Sequence, residues 1–308
     1  MIEVENLTKN YEGHWAVRGV SFGVAEGDIF GFIGPNGAGK TTSIRIISTL
    51  LDPTSGSVKV GGRSVTSEAE AVRRLIGFMP DNFGVYERIT VWEYLDFFAA
   101  AYGLDRRPRA AAIEGIMELT DLLDLRDRLT GELSKGMRQR LCLAKTLVHD
   151  PKVLILDEPA NGLDPRARIE FRALLKELRS MGKTILISSH ILTELSDICT
   201  SVAILEKGKV VASGPIQSIQ KALQPGLAFR LEVLGGGESA RAAFEGLPGI
   251  GSLTVEGDVI RFSFTSPREE VPELVKALVQ RGVRIVGLHE EKTDLEDLFM
   301  KLTKGEVS

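Results

Sequence analysis

Two short stretches of this 308-residue chain carry residue types that handle phosphate. The first is GPNGAGKT, in which Gly34, Pro35, Asn36, Gly37, Ala38 and Gly39 precede Lys40 and Thr41, with Thr42 following. Glycines let successive backbone N–H groups converge on phosphate oxygens that side chains would block. A helix opening near Gly39 adds its positive N-terminal end. Lys40 is expected to neutralise the terminal phosphates, and the Thr41 hydroxyl suits Mg2+. The second stretch is KVLILDEP, where an apolar run from Val153 to Leu156 delivers Asp157 and Glu158. Asp157 suits an indirect ligand of Mg2+, and Glu158 a general base that polarises an attacking water. Each stretch has a plainer reading, a glycine-rich turn with a chance lysine and an Asp-Glu helix start. Their combination reads as a P-loop nucleoside triphosphatase.

These residues need strands and helices to hold them. DIFGFI is a short apolar run ahead of the glycine loop, and TTSIRIISTLL behind it is apolar at helical spacing. Helical patterns follow in VWEYLDFFAAAYGL, AAAIEGIMELTDLLDL and LSKGMRQRLCLAKTLVHD. KVLILDEP and TILISSH read as buried strands around a helix, PRARIEFRALLKELRSMG; ILTELSDICT reads as a further helix and SVAILEKGKVVASG as a hairpin. The alternation predicts an α/β fold with a mostly parallel sheet, preceded by an N-terminal antiparallel β part. A break falls at Gln220 to Gly226, so an ATPase domain is expected over 1–220, with a helical subdomain at about 82–145. Residues 227–308 read β-α-β-β-α-β, a small ferredoxin-like accessory domain, with a terminal helix in DLEDLFMKL.

Composition narrows the class. The net charge of −4 argues against a nucleic-acid partner, which usually meets a basic domain or stripe. Cys142 and Cys199 lie in apolar helical contexts and read as buried free thiols. The N-terminus lacks the basic start and apolar run of a signal peptide. No stretch reaches the ~18 apolar residues that span a bilayer. A cytosolic chain is expected, whose spanning helices, if it works at a membrane, come from another protein.

LSKGMRQR, Leu133 to Arg140, lies upstream of the acidic strand, and with it the chain resembles an ATP-binding cassette (ABC) transporter ATPase. The resemblance covers residues 1 to about 220 and rests on landmarks in order: Tyr11, GPNGAGKT, LSKGM, ILDEP with NGLD (Asn161 to Asp164), and His190 at the end of TILISSH. It implies adenine stacking on Tyr11, with Trp15 as a competitor, and a hydrogen bond from His190 to the γ-phosphate or the attacking water. Ser134 and Gly136 open a helix whose start caps ATP bound by a second copy, so that two chains sandwich two ATP molecules head to tail. The plainer reading of LSKGM is a helix N-cap, with Ser134 capping Met137, and both readings can hold. Lys135 replaces a small residue and adds a positive charge near the partner's phosphate or on the surface. Met137 replaces the usual glutamine.

A third departure is GFMPDNFGVYERIT, where Asp81 stands in place of the family's glutamine. A carboxylate can still reach Mg2+ directly or through water. When ionised it cannot donate a hydrogen bond as an amide does. Aromatics from Phe83 to Phe98 follow; Tyr86 and Glu87 are candidates for a groove that takes a short helix of an integral membrane permease subunit. Asp81 and the tail are similar to exporters of the drug and polysaccharide type. The resemblance thus implies an ATPase peripheral on the cytoplasmic face of the membrane. An importer ATPase with a regulatory C-terminal domain stays open. A DNA-acting ABC ATPase lacks its coiled-coil heptads here, and a ribosomal one its second cassette.

Overall fold

The computed structural model describes residues 1–191, 195, 197–223 and 226–291. The expected helix ILTELSDICT lies partly, and DLEDLFMKL wholly, outside the described residues. The chain divides into two compact units, Met1–Pro215 and a second beginning at Ile216. The division thus falls ahead of the Gln220–Gly226 stretch.

The first unit opens with a hairpin of β1 (Ile2–Tyr11) and β2 (His14–Val24), then β3 (Ile29–Ile33) and α1 (Lys40–Ile47). β4 (Ser55–Val60), β5 (Arg63–Ser64), α2 (Ala69–Leu75) and β6 (Ile76–Met79) follow. Three helices come next, α3 (Val91–Ala101), α4 (Arg106–Leu119) and α5 (Lys135–Leu147). β7 (Val153–Leu156), α6 (Pro165–Ser180), β8 (Thr184–Ser189), β9 (Ser201–Glu206) and β10 (Lys209–Pro215) complete it.

One sheet has the order β10-β9-β3-β8-β7-β6. All its pairs are parallel except β9 with β10 at the edge. Strands β3, β7 and β8 are buried along their whole length, which explains their unbroken apolar runs. The second sheet, β2-β1-β4-β5, is antiparallel. Phe22 of this sheet stacks on Phe30 of the other at 5.3 Å between ring centroids, in one core with Ile2, Leu7, Ile44 and Ile47. Burying each such side chain contributes about 1.5–3 kcal/mol, so the parallel sheet and α1 are firmly held.

Helices α3, α4 and α5 enclose a separate core of Tyr94, Leu95, Ile113, Met117 and Leu141. Thr90 starts α3 with a capping box: its hydroxyl accepts from the Glu93 N–H at 3.2 Å, and the Glu93 carboxylate accepts from the Thr90 N–H at 2.8 Å. Helix α4 stops at Leu119, short of the apolar pattern that runs to Leu125. Asp121 takes φ +56°, a left-handed conformation that ends a helix, and Leu123–Leu125 form a separate turn of 3-10 helix.

The second unit begins with α7 (Ile216–Leu223). Then come β11 (Leu227–Val233), α8 (Gly237–Arg241), β12 (Ile250–Glu256), β13 (Val259–Phe264), α9 (Val271–Gln280) and β14 (Ile285–Glu291). Its sheet order is β12-β13-β11-β14, with every pair antiparallel. That is the ferredoxin-like arrangement expected from the β-α-β-β-α-β order.

Candidate active site

In an open α/β sheet, ligands meet the loops at the carboxyl ends of the parallel strands. Register places Ile33 beside Ser189, Met79 beside Leu156 and Leu156 beside Ile187. The residues that follow these ends are the glycine loop from Gly34, Asp81, Asp157 with Glu158, and His190. Sequence positions spread across the first unit therefore meet at one edge.

The glycine loop follows from close backbone approach. A side chain at Gly34 would stand 2.5 Å from the Leu205 carbonyl oxygen, and one at Gly39 2.5 Å from that of Ala16. Gly39 also has φ +97°, and α1 begins at the next residue. Lys40 is only 5% exposed, and its ammonium donates to the carbonyls of Gly34 at 2.6 Å and Pro35 at 3.2 Å. The same nitrogen lies 3.3 Å from Glu158 Oε1. Glu158 Oε1 makes no aligned hydrogen bond there, so this contact is an ion pair without directionality.

The acidic pair is tightly organised. Asp157 is 2% exposed, and the Ser188 hydroxyl donates to its Oδ1 at 2.6 Å. The same Ser188 oxygen accepts from the Glu158 N–H at 2.8 Å. Burial pushes the Asp157 carboxyl up; hydrogen bonds from Ser188 and Thr41 oppose this, while the charges of Glu158 and Asp81 add to it. Glu158 has φ +48°, uncommon outside glycine, and strain of this kind clusters at functional sites. Its Oε2 is 2.8 Å from His190 Nδ1 and accepts from the His190 N–H at 3.3 Å. One carboxylate oxygen thus faces a lysine and the other a histidine.

Asp81 lies close enough to Asp157 to act on its charge. Its Oδ1 accepts from Asn161 Nδ2, and its Oδ2 from Asn82 Nδ2, both at 3.2 Å. Thr41, Asp157 and Asp81 offer oxygen donors of the kind Mg2+ takes. The mutual repulsion of these acidic groups is the situation a dication relieves. Among the described residues no cluster of three or more His, Cys, Asp or Glu side chains could hold a metal alone. The arrangement fits a cation bound mainly through phosphate and water, as Mg2+ usually is with nucleotides.

The remaining expected residues lie around this edge. Ser134 caps α5, its hydroxyl accepting from the Met137 N–H at 3.3 Å, and Ser134 and Lys135 are exposed. The Lys135 ammonium lies against Gly162, where a Cβ would collide with it. Tyr11 is 44% exposed, with the Lys9 ammonium 5.3 Å above its ring, and Trp15 is 41% exposed. Register pairs Tyr11 with His14 and Asn10 with Trp15. Because side chains alternate along a strand, the two rings leave the hairpin on opposite faces. Ser188 is a participant the sequence reading did not single out, and Asn161, named there only as the start of NGLD, is given a partner in Asp81. The signal for Ser188 was two serines ending an otherwise apolar buried strand.

A glycine loop between a parallel strand and a helix, with an acidic strand end beside its lysine, defines a P-loop nucleotide-hydrolysing fold. Residues 17–161 match the ABC transporter family. The chain is 33% identical over 306 residues to the Nod factor export ATP-binding protein I of Burkholderia thailandensis, covering 99% of this chain and 98% of that one. It is 30% identical over 308 residues to the linearmycin resistance ATP-binding protein LnrL of Bacillus subtilis, covering 98% of each. Among solved structures, an ATP-binding subunit of an ABC transporter superposes with TM-score 0.66 at 31% identity, over 72% of this chain and 92% of that one. A dimeric bacterial ABC transporter cassette gives 0.64 at 25% identity, over 70% and 99%. The chain belongs to the ATP-binding proteins of ABC transporters, a family of ATPases. No helix among the described residues is long and apolar enough to cross a membrane.

Proposed function

We propose that this chain is the ATP-hydrolysing subunit of an exporter. It pairs with a second copy of itself and drives a separate integral membrane permease from the cytoplasmic face. Export is favoured because the Nod factor export and linearmycin resistance relatives match along nearly the full chain, C-terminal unit included. The observation that carries the catalytic reading is the Glu158 carboxylate, held between Lys40 and His190 at the end of a buried strand.

In this reading the loop from Gly34 to Thr42 wraps the phosphates of ATP, and the γ-phosphate competes with Glu158 for the Lys40 ammonium. Glu158 then takes a proton from water as the water oxygen attacks the γ-phosphorus, and ADP departs with the bond electrons. His190 fixes the carboxylate and hydrogen-bonds the γ-phosphate. Thr41, Asp81 and Asp157 would hold Mg2+, which would supply charge neutralisation on the phosphates. Tyr11 stacks on adenine. Ser134 and the backbone at Gly136 present the start of α5 to ATP on the second copy.

Coupling to the permease falls on the segment after Asp81. Tyr86 is 58% exposed and Phe97 53%, and their rings meet edge to face at 5.8 Å. The Thr130 hydroxyl donates to the Tyr86 carbonyl at 2.8 Å, fixing this loop to the turn that leads into LSKGM. An exposed aromatic pair on a tethered loop fits the apolar face of a short helix. The test is reconstitution with the permease encoded nearest this gene, in inside-out vesicles. ATP-dependent uptake that is lost in Tyr86→Ala, Glu87→Ala protein is expected. Nucleotide-driven release from the vesicles, or full transport by that variant, contradicts the reading.

A further inference from the structure

Asn161 joins the two acidic loops of the site. Its main-chain N–H donates to the Glu158 carbonyl at 3.1 Å, and its side-chain amide donates to Asp81 Oδ1 at 3.2 Å. A carboxylate at position 81 accepts from both Asn161 and Asn82 without presenting a donor that clashes with either amide. The next residue, Gly162, has φ +69° and lies under the Lys135 ammonium, so a side chain there would be strained and would also collide. Asp81 and Lys135 therefore meet consecutive residues of the NGLD loop, Asn161 and Gly162.

We propose that Asn161 is a positioning residue for Asp81. Its amide holds the carboxylate beside Asp157 and so sets the affinity of the site for the divalent cation that accompanies the nucleotide. Lys135, resting on Gly162, keeps Asn161 in place. The inference rests on the functional reading above. Groups that hydrogen-bond a metal-binding carboxylate typically change metal affinity by about 10–100-fold.

The experiment uses the full chain and titrates Mn2+ by electron paramagnetic resonance in the presence of AMP-PNP. Asn161→Ala is expected to weaken Mn2+ binding about tenfold and to leave AMP-PNP affinity in EDTA unchanged. Asp81→Ala is expected to weaken Mn2+ binding at least as much, and the double variant no further than Asp81→Ala alone. Wild-type Mn2+ affinity in Asn161→Ala overturns the proposal, as does a double variant that shows the product of the two single effects. Loss of AMP-PNP affinity in EDTA overturns it too, because the residue would then act on the whole site rather than on the cation. Wild-type protein that binds neither AMP-PNP nor Mn2+ overturns the functional reading together with the proposal.

Discussion

The two ends of the nucleotide site within one chain are built in opposite ways. At the phosphate-loop end Lys40 and Asp157 are buried, and Ser188 and Glu158 tie them to neighbouring strands. At the LSKGM end Ser134 and Lys135 are exposed, and the Ser134 hydroxyl caps its own helix. A buried, mutually fixed set of polar groups is organised before ligand arrives. An exposed helix start needs a second surface to exclude water. On the proposed function, ATP binding and chemistry fall to the first end and association with a second copy to the second, and mutations should separate them.

The largest effect is expected at Glu158. Removing a general base typically costs about 10²–10⁴ in rate, so Glu158→Gln should lose at least about a hundredfold in phosphate release while still binding ATP. Normal turnover would remove Glu158 from the chemistry and erase the contrast between the ends. Lys40→Ala comes next. Losing a charge-assisted hydrogen bond worth about 1.5–3 kcal/mol should weaken ATP binding roughly 10- to 100-fold by calorimetry. Retained affinity would show that the buried end does not set binding.

A smaller effect sharpens the geometry of that end. Tyr11 and Trp15 face opposite ways, so only one can stack on adenine. Tyr11→Ala should weaken ATP binding about tenfold, in line with stacking worth about 1–3 kcal/mol per base, whereas Trp15→Ala should change it little. The reverse pattern would assign the adenine to Trp15.

The smallest expected effect tests the joint between α3, α5 and the sheet. His149 follows α5, stacks on Tyr102 at 3.8 Å and hydrogen-bonds the Ile76 carbonyl at 2.8 Å. Burial holds its pKa below the ordinary value, which is about 6.5. The unfolded chain therefore takes up the proton first. The stability contribution is present above that ordinary value and is lost as pH falls through the lower, folded value. His149→Gln should flatten the acid-side fall in melting temperature. An unchanged slope would show that the ring does not couple the parts.

The site was legible in the sequence to the extent that its chemistry is local. GPNGAGKT and ILDEP each carry their meaning within eight residues, and the apolar runs before them announced buried strands. The ferredoxin-like order of the second unit was legible for the same reason. Contacts across the sheet were not. Ser188 serves both Asp157 and Glu158 from 31 and 30 residues away, and Asn161 reaches Asp81 across 80. Asp121 also ended α4 where the apolar pattern continued, because a single left-handed residue outweighs periodicity. Lys135 reads as a surface charge or a charge near a phosphate; its place against Gly162 depends on a glycine 27 positions on, in the loop after Glu158.

On the proposed function, ATP brings the LSKGM end of one copy onto the phosphate-loop end of another. Sedimentation velocity of Glu158→Gln protein, with and without saturating ATP, tests it most directly. Monomer is expected without nucleotide and dimer with it, the dimer being lost when Ser134→Arg is added. A Glu158→Gln chain that stays monomeric at saturating ATP, or dimerises equally with Ser134→Arg, would contradict it.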